Sequence, residues 1–195
     1  MTIERRALER RMRNILGEDI SSITVGPGTF YCFIEVPESL KAKYSSLARS
    51  LTSHRAETVD HVTVLFLSKA KEEVTPRITE EALAKIQDLM SKCTPMHVKI
   101  SGWALFDHVK NNNEDATALV ALLDCPGLAD VHVLLKKTLE NELDTTQTHG
   151  FTPHMTFAYL PLGTRISKLP ILNDEFDIDT LCVATTKIHK VKIGS

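Results

Sequence analysis

Two histidine–threonine pairs are the residues of this sequence whose types and spacing could do chemistry. His61 stands two residues before Thr63 in the segment HVTVLFL, and His154 stands two residues before Thr156 in the segment HMTFAYL, 93 positions further on. Alternate side chains of a β-strand project from the same face, so each histidine is expected to share a face with its threonine. Both segments therefore predict an apolar strand with a polar pair at its start.

These four side chains suit acid–base cleavage of a phosphodiester. A histidine titrates near pH 6.5, so at neutral pH it can take a proton or give one. One histidine could accept a proton from the nucleophile while the other protonates the leaving oxygen, and each such step contributes about 10²–10⁴ in rate. Threonine hydroxyls can hold the phosphoryl oxygens on which charge develops in the transition state. This chemistry needs no metal ion and no cofactor, and none is predicted.

Chance is the alternative explanation for either pair alone. A chain with 8 histidines can contain a His-x-Thr without any function. The two histidines would then simply lie at the open ends of edge strands. Their context favours function, because each pair opens an apolar strand, follows a polar loop and occupies the same place in a repeated order of elements.

The predicted elements repeat once along the chain. The first half runs strand (29–36), helix (38–51), polar loop and His-x-Thr strand, and the second half runs strand (117–124), helix (126–143), polar loop and His-x-Thr strand. The motif histidine follows the start of the first strand by 32 residues in one half and by 37 in the other. The residues themselves do not match outside the motif. The repeated order predicts two related lobes that face each other, with both pairs lining one cleft.

Period-two alternation also assigns the residues beyond each motif. Leu65 and Ala158 are expected on the face of the motif histidine of their strand, and Tyr159 on the opposite face. The middle of the chain is expected to contain a helix over 79–92, followed by a strand that is broken or bulged at Gly102.

Composition restricts the class of protein. The chain has 195 residues, 43% of them hydrophobic, and a net charge of −2, which is ordinary for a globular domain and argues against binding of nucleic acid by bulk electrostatics. Its four cysteines are widely spaced without a CxxC pair, which argues against a zinc site or a disulfide framework. No apolar run approaches 18 residues and no signal-peptide core is present, so no membrane partner is expected. A cytoplasmic location is predicted, or a nuclear one if the host is eukaryotic.

Residues 1–20 are predicted to form an amphipathic helix that precedes a single bilobal domain over 21–195. Apolar residues fall near helical spacing in this segment, with five arginines between them. The arginines could contact phosphate or a partner, and the alternative is a solvated face paired with neighbouring glutamates. Protein partners are not specified by the sequence.

Two aromatic residues are candidates for substrate binding. Tyr31 lies opposite the apolar face of its strand and could stack on a base in the cleft. Trp103 follows Gly102 and is the only tryptophan of the chain. For both, the alternative is burial in the core, where most aromatic side chains lie. The histidines outside the motifs are expected to have surface or capping roles: His54, His97, His108, His132, His149 and His189.

The paired motifs resemble the two His-x-Thr/Ser signatures of the two-histidine (2H) phosphoesterase superfamily. The segment GFTPHMTFAYL is very similar to the second signature, in which an aromatic residue and a proline precede His-x-Thr. The stretch that runs from SGWALFDH through ATALVALLDCPGLADVH is similar to the segment between the signatures. The likeness covers about residues 29–190 and leaves the N-terminal helix unexplained.

This resemblance implies an α+β fold with two pseudo-symmetric antiparallel-sheet lobes and outer helices around a central cleft. His61, Thr63, His154 and Thr156 would be the catalytic residues of a metal-independent phosphodiesterase. The implied substrate is an RNA end or a small nucleotide, such as a 2′,3′-cyclic phosphate or a cyclic or 2′–5′-linked oligonucleotide. The alternatives are RNA 3′-end trimming, 2′–5′ RNA ligase-like activity, and a non-catalytic nucleotide-binding module on the same fold.

Overall fold

A computed structural model describes six stretches of the chain, namely residues 30–52, 56–67, 76–111, 114–141, 150–185 and 187–194. The amphipathic helix predicted over 1–20 lies outside the described residues. The described residues contain eight strands and three helices: β1 (Phe30–Glu35), α1 (Glu38–Leu51), β2 (His61–Leu67), α2 (Pro76–Ser91), β3 (Met96–Asn111), β4 (Glu114–Asp124), α3 (Pro126–Thr138), β5 (His154–Pro161), β6 (Glu175–Ile178), β7 (Thr180–Ala184) and β8 (Ile188–Lys192).

The strands form two antiparallel four-stranded sheets that match at one edge. One sheet runs β2-β1-β7-β8 and the other β5-β4-β3-β6. In each sheet the His-x-Thr strand lies at the edge, and its neighbour is the strand that precedes the helix of that half. The two lobes predicted from the repeat are therefore present, and the α+β architecture with antiparallel sheets is confirmed.

The two sheets meet along their His-x-Thr strands. Strand β2 contacts β5, helix α3 packs against β2, and helix α1 packs against β5. Each helix thus covers the motif strand of the other lobe. One continuous apolar core results, in which Val62 and Val64 of the first lobe pack together with Leu119, Met155 and Phe157 of the second.

Local sequence explains the helix boundaries only in part. The helix predicted over 38–51 has those boundaries, and its buried residues include Tyr44 and Ala48, one turn apart. Helix α3 begins at Pro126, a residue suited to the first turn, and ends at Thr138, earlier than predicted. Helix α2 begins at Pro76, three residues before the predicted start.

Strand β3 bends where glycine predicted an irregularity. The pairing of β3 with β4 shifts between Ile100 and Gly102, and Gly102 has a φ of 155°. A residue with a side chain would be strained at this φ. The predicted bulge is confirmed within one continuous strand.

All four cysteines are free thiols, of which Cys93 is half-buried and the others are buried. None of the helices in the described stretches has the length and hydropathy that crossing a bilayer requires.

Candidate active site

Both His-x-Thr strands contain a β-bulge immediately after the threonine. The pairing of β2 with β1 skips Val64, and the pairing of β5 with β4 skips Phe157. An inserted residue increases the local twist and reverses the faces of the side chains beyond it. The first five residues of both strands accordingly show the same burial order, with a half-buried histidine and threonine followed by two successive buried residues.

The bulges overturn the face assignments made from strict alternation. Leu65 and Ala158 do not share the face of the motif histidines, because both are fully buried in the main core. Tyr159 is half-buried, and its partner on β4 lies two residues from the partner of Thr156. Paired residues share a face, so Tyr159 lies on the face of Thr156 and not on the opposite one.

His61 is held by a buried carboxylate. Its Nδ1 lies 2.7 Å from Oδ1 of Asp60, whose side chain is 4% exposed, while His61 itself is 25% exposed. A carboxylate can only accept a hydrogen bond, so Nδ1 carries a proton and proton exchange falls to Nε2. The Phe33 ring packs edge-on against the imidazole with 5.9 Å between centroids. Asp60 therefore fixes the orientation and the tautomer of the ring.

His154 is held by a backbone carbonyl instead. Its Nδ1 donates to the oxygen of Thr152 at 2.7 Å, and the Phe106 ring packs edge-on with 5.0 Å between centroids. Burial lowers the pKa of His154 and the charge of His61 lowers it further, although the bond to Thr152 works in the opposite direction. The imidazole is therefore neutral at neutral pH, with the lone pair of Nε2 free to accept a proton.

The two imidazoles thus have different surroundings. Nδ1 of His61 contacts a carboxylate, and Nδ1 of His154 donates to an uncharged carbonyl. The charge on the first also disfavours protonation of the second. Acid–base cleavage requires one group that gives a proton and one that accepts it, and two imidazoles in unequal surroundings can divide these roles.

Tyr159 is a further polar residue beside Thr156. Burial and the charge of Glu57 raise the pKa of Tyr159, and a hydrogen bond with the Thr156 side chain partly opposes this rise. Burial also raises the pKa of Glu57, and the charge of Asp60 adds to this rise. The Tyr159 phenol is therefore neutral and can act as a hydrogen-bond donor beside the second motif.

Tyr31 reaches the face of the first motif but is covered. It lies two residues from Phe33, the partner of Thr63, and therefore shares their face. Only 6% of Tyr31 is exposed, and its ring packs against Phe33 with 5.3 Å between centroids in a small cluster that also contains Cys182 and Ala184. Burial and the charge of Asp60 raise its pKa. Tyr31 therefore lies on the predicted face of its strand. It is also buried, which was the alternative expectation.

Trp103 lies on the other face of its sheet. It pairs with Ala121, which is adjacent to the partner of Thr156 on β4 and belongs to the main core. The indole Nε1 donates to the oxygen of Pro170 at 2.7 Å, and the ring meets Phe157 edge-on at 4.7 Å. The structure does not bring Trp103 to the motif side chains.

Three residues of the site were missed in the sequence. Asp60 had a readable signal, because an acidic residue stands immediately before the first motif histidine. Phe106 had none, since its contact with His154 depends on the register of three strands. Tyr159 was assigned to the wrong face because its position depends on the bulge.

Within the described stretches, no group of three or more His, Cys, Asp or Glu side chains could hold a metal ion.

The sequence model of one protein family matches most of the chain. The sequence model of the 2′-5′ RNA ligase superfamily matches residues 29–187, a range that includes both motifs. Among the curated protein sequences, none matches the chain.

Solved structures share the fold over most of the chain. The protein TT0787 of Thermus thermophilus has a TM-score of 0.63 and 15% identity, covering 86% of this chain and 98% of its own. E. coli LigT complexed with 3′-AMP has a TM-score of 0.64 and 12% identity, covering 86% and 96%. Usb1 of Kluyveromyces marxianus has a TM-score of 0.54 and 10% identity, covering 85% and 98%. At these identities the similarity establishes the bilobal fold.

Proposed function

The chain belongs to the 2′-5′ RNA ligase superfamily, and from that premise we propose that it is a metal-independent phosphodiesterase acting on nucleotide or RNA phosphodiesters. The observation that carries the proposal is the unequal support of the two motif histidines. His61 is backed by the carboxylate of Asp60, and His154 is a neutral imidazole backed by a carbonyl. A site that only binds a nucleotide has no need of two imidazoles prepared for opposite proton transfers.

His154 acts as the base and His61 as the acid. The neutral Nε2 of His154 takes a proton from water or from a ribose 2′-hydroxyl, whose oxygen then forms a bond to phosphorus. The bond from phosphorus to the leaving oxygen breaks, and that oxygen takes the proton from Nε2 of His61. The turnover ends with His154 protonated and His61 neutral, and exchange with water restores both. Thr63 and Thr156 donate hydrogen bonds to the non-bridging oxygens.

The surface of the second lobe beside His154 supports a nucleotide as the substrate. Phe106, half-buried beside His154, offers a ring on which a base could stack. Gly102 pairs with the same β4 residue as His154, so it lies on that face, and a Cβ there would meet nothing within 4 Å. Phe106 is therefore a better stacking candidate than Trp103, and Tyr31 can contribute only if the first lobe opens around it.

Three structures of the neighbour LigT hold the nucleotides 3′-AMP, NADP+ and ATP. Together with the open surface beside His154, these bound nucleotides support a nucleotide or an RNA end as the substrate of this chain. The candidates are a 2′,3′-cyclic phosphate, a 2′–5′-linked or cyclic oligonucleotide, and an RNA 3′ end.

A substrate panel with EDTA present tests the proposal. The panel contains 2′,3′-cyclic nucleotides, 2′–5′ oligoadenylate, cyclic dinucleotides and oligo-U RNA. His61→Ala and His154→Ala should each lower turnover about 10²–10⁴-fold with the fold intact. His97→Ala is the matched control, because His97 is 47% exposed and pairs with Asp177 at the surface. Full activity in either motif variant, or binding of nucleotides without cleavage by the wild type, would refute the proposal.

The superfamily name favours a second candidate, the formation of 2′–5′ RNA linkages. The same acid and base would serve it in reverse, with a 5′-hydroxyl attacking a 2′,3′-cyclic phosphate end. Incubation of two RNA fragments that carry these ends distinguishes the two activities by the length of the product.

A further inference from the structure

The backbone carbonyl at each β-bulge is held by a group from the other half of the molecule. The carbonyl oxygen of Val64 in β2 accepts a hydrogen bond from Nδ1 of His132 on α3 at 2.7 Å. The carbonyl oxygen of Phe157 in β5 accepts one from the backbone N–H of Glu57, in the segment leading to β2, at 2.8 Å. A bulge disrupts the ladder at its extra residue, and buried carbonyls need a donor. The two lobes therefore hold each other at equivalent points, one residue beyond each motif threonine.

Of these two donors, His132 donates from its side chain and Glu57 from its backbone. It is 6% exposed and lies on the buried face of α3 with Leu128, Val131 and Leu135. The expectation that His132 has a surface or capping role is therefore wrong. Since a carbonyl oxygen can only accept, Nδ1 of the ring carries the proton that the bond requires.

The same ring also contacts the segment that holds the second motif. It stacks on Phe151 with 4.4 Å between centroids and 4° between the planes. The next residue, Thr152, provides the carbonyl that accepts from Nδ1 of His154. The one after it, Pro153, accepts from the N–H of Leu123 at 3.0 Å and so fixes the segment to β4. One side chain thus joins the backbone beside Thr63 to the segment that orients His154.

We propose that His132 is a positioning residue that sets the separation of the two His-x-Thr pairs across the cleft. This inference rests on the proposed phosphodiesterase activity, in which acid and base must flank one phosphorus atom. A displacement of about 1 Å between catalytic groups can lower a rate about 10²-fold. His132 acts through the backbone of the bulge and through Phe151, and it does not contact the substrate.

Three variants separate the hydrogen bond from the packing. His132→Phe keeps a ring on Phe151 and removes the donor. In His132→Asn the amide nitrogen occupies about the place of Nδ1 and restores the donor. His132→Gln carries the same amide one carbon further out, where it does not match Nδ1, and is the matched control for the asparagine variant.

We expect His132→Phe and His132→Gln to lower kcat about 10–100-fold while KM stays within about threefold. His132→Asn should recover most of this loss. All variants are assayed below their melting temperatures, with urea denaturation to establish the folded fraction. Wild-type kcat in His132→Phe would overturn the inference, and so would equal losses in the asparagine and glutamine variants, since a donor at the place of Nδ1 would then not matter.

A titration of the histidine ring protons by NMR tests the same inference without any substrate. Burial and the charge of His61 lower the pKa of His154, so a wider cleft in His132→Phe should raise it. An unchanged pKa of His154 would contradict the positioning role. If the wild type cleaves nothing in the panel, the proposed function fails, and this titration still decides whether His132 sets the separation of the pairs.

Discussion

Replacement of Asp60 by asparagine tests whether the charge behind His61 serves catalysis. The variant keeps the shape of the side chain. Its amide oxygen can accept the hydrogen bond from Nδ1 of His61 that the carboxylate oxygen of Asp60 accepts at 2.7 Å. The variant removes the negative charge beside the ring. Because Asp60 is 4% exposed, solvent screens this charge little. Its loss should therefore act directly on the imidazole that is proposed as the acid.

The expected loss of activity follows from the strength of the bond. Hydrogen bonds to charged groups contribute about 1.5–3 kcal/mol and neutral ones about 0.5–1.5 kcal/mol. The difference, roughly 1–1.5 kcal/mol, corresponds to about a tenfold change in rate. If the amide nitrogen turns toward His61 and imposes the wrong tautomer, the whole bond is lost and the decrease approaches 100-fold. We expect kcat/KM to decrease about 10–100-fold.

The assay is steady-state cleavage of the phosphodiester that the substrate panel identifies. Asp177→Asn is the matched control, since Asp177 contacts Nδ1 of His97 at 2.8 Å but is 82% exposed. It makes the same chemical change far from the motifs and should leave kcat/KM unchanged. The charge of Asp60 raises the pKa of Glu57, so a lower Glu57 pKa in the variant confirms by NMR that the charge has gone. Equal activities in the two variants would refute the role of Asp60.

Two further predictions concern the base and the bulge. Because burial lowers the pKa of His154 and the base must be neutral, the decrease of kcat/KM on acidification should begin below the ordinary histidine pKa near 6.5; a decrease that begins well above pH 6.5 would contradict the assignment of His154 as the base. Phe157 is fully buried between Tyr44 and Trp103, so Phe157→Ala should lower the free energy of unfolding in urea by about 3–5 kcal/mol. A decrease below about 1 kcal/mol would show that the ring at the bulge does not anchor β5.

The sequence was sufficient wherever the cause is local or repeated. Helix α1 has its predicted bounds because its apolar spacing and the preceding proline act within a few residues. The bulge at Gly102 was predictable because only glycine adopts its φ without strain. The repeated order of elements was visible although the residues do not repeat outside the motif. It agrees with the place of the motif strand at the edge of each sheet, beside the strand that precedes the helix of its half.

The face of each residue in the motif strands was predictable only up to the threonine. Strict alternation holds for His61 and Thr63, and it fails at Val64, where the pairing with β1 skips a residue. Whether a strand accommodates an extra residue depends on the helix that packs on it and on a donor for its carbonyl. In β2 that donor is His132, 68 residues away in the chain, and nothing in the local pattern indicates it.

The sequence by itself therefore determined the candidate chemistry, through the types and spacing of two histidines and two threonines, and it determined that they come as a pair. Only the tertiary structure decided their unequal surroundings. Asp60 is adjacent to His61 in the chain, but its burial beside the imidazole depends on the packing of both lobes. Tyr159 joins the site because a bulge reverses its face. Register, burial and contacts between lobes depend on distant parts of the chain, which a local pattern does not encode.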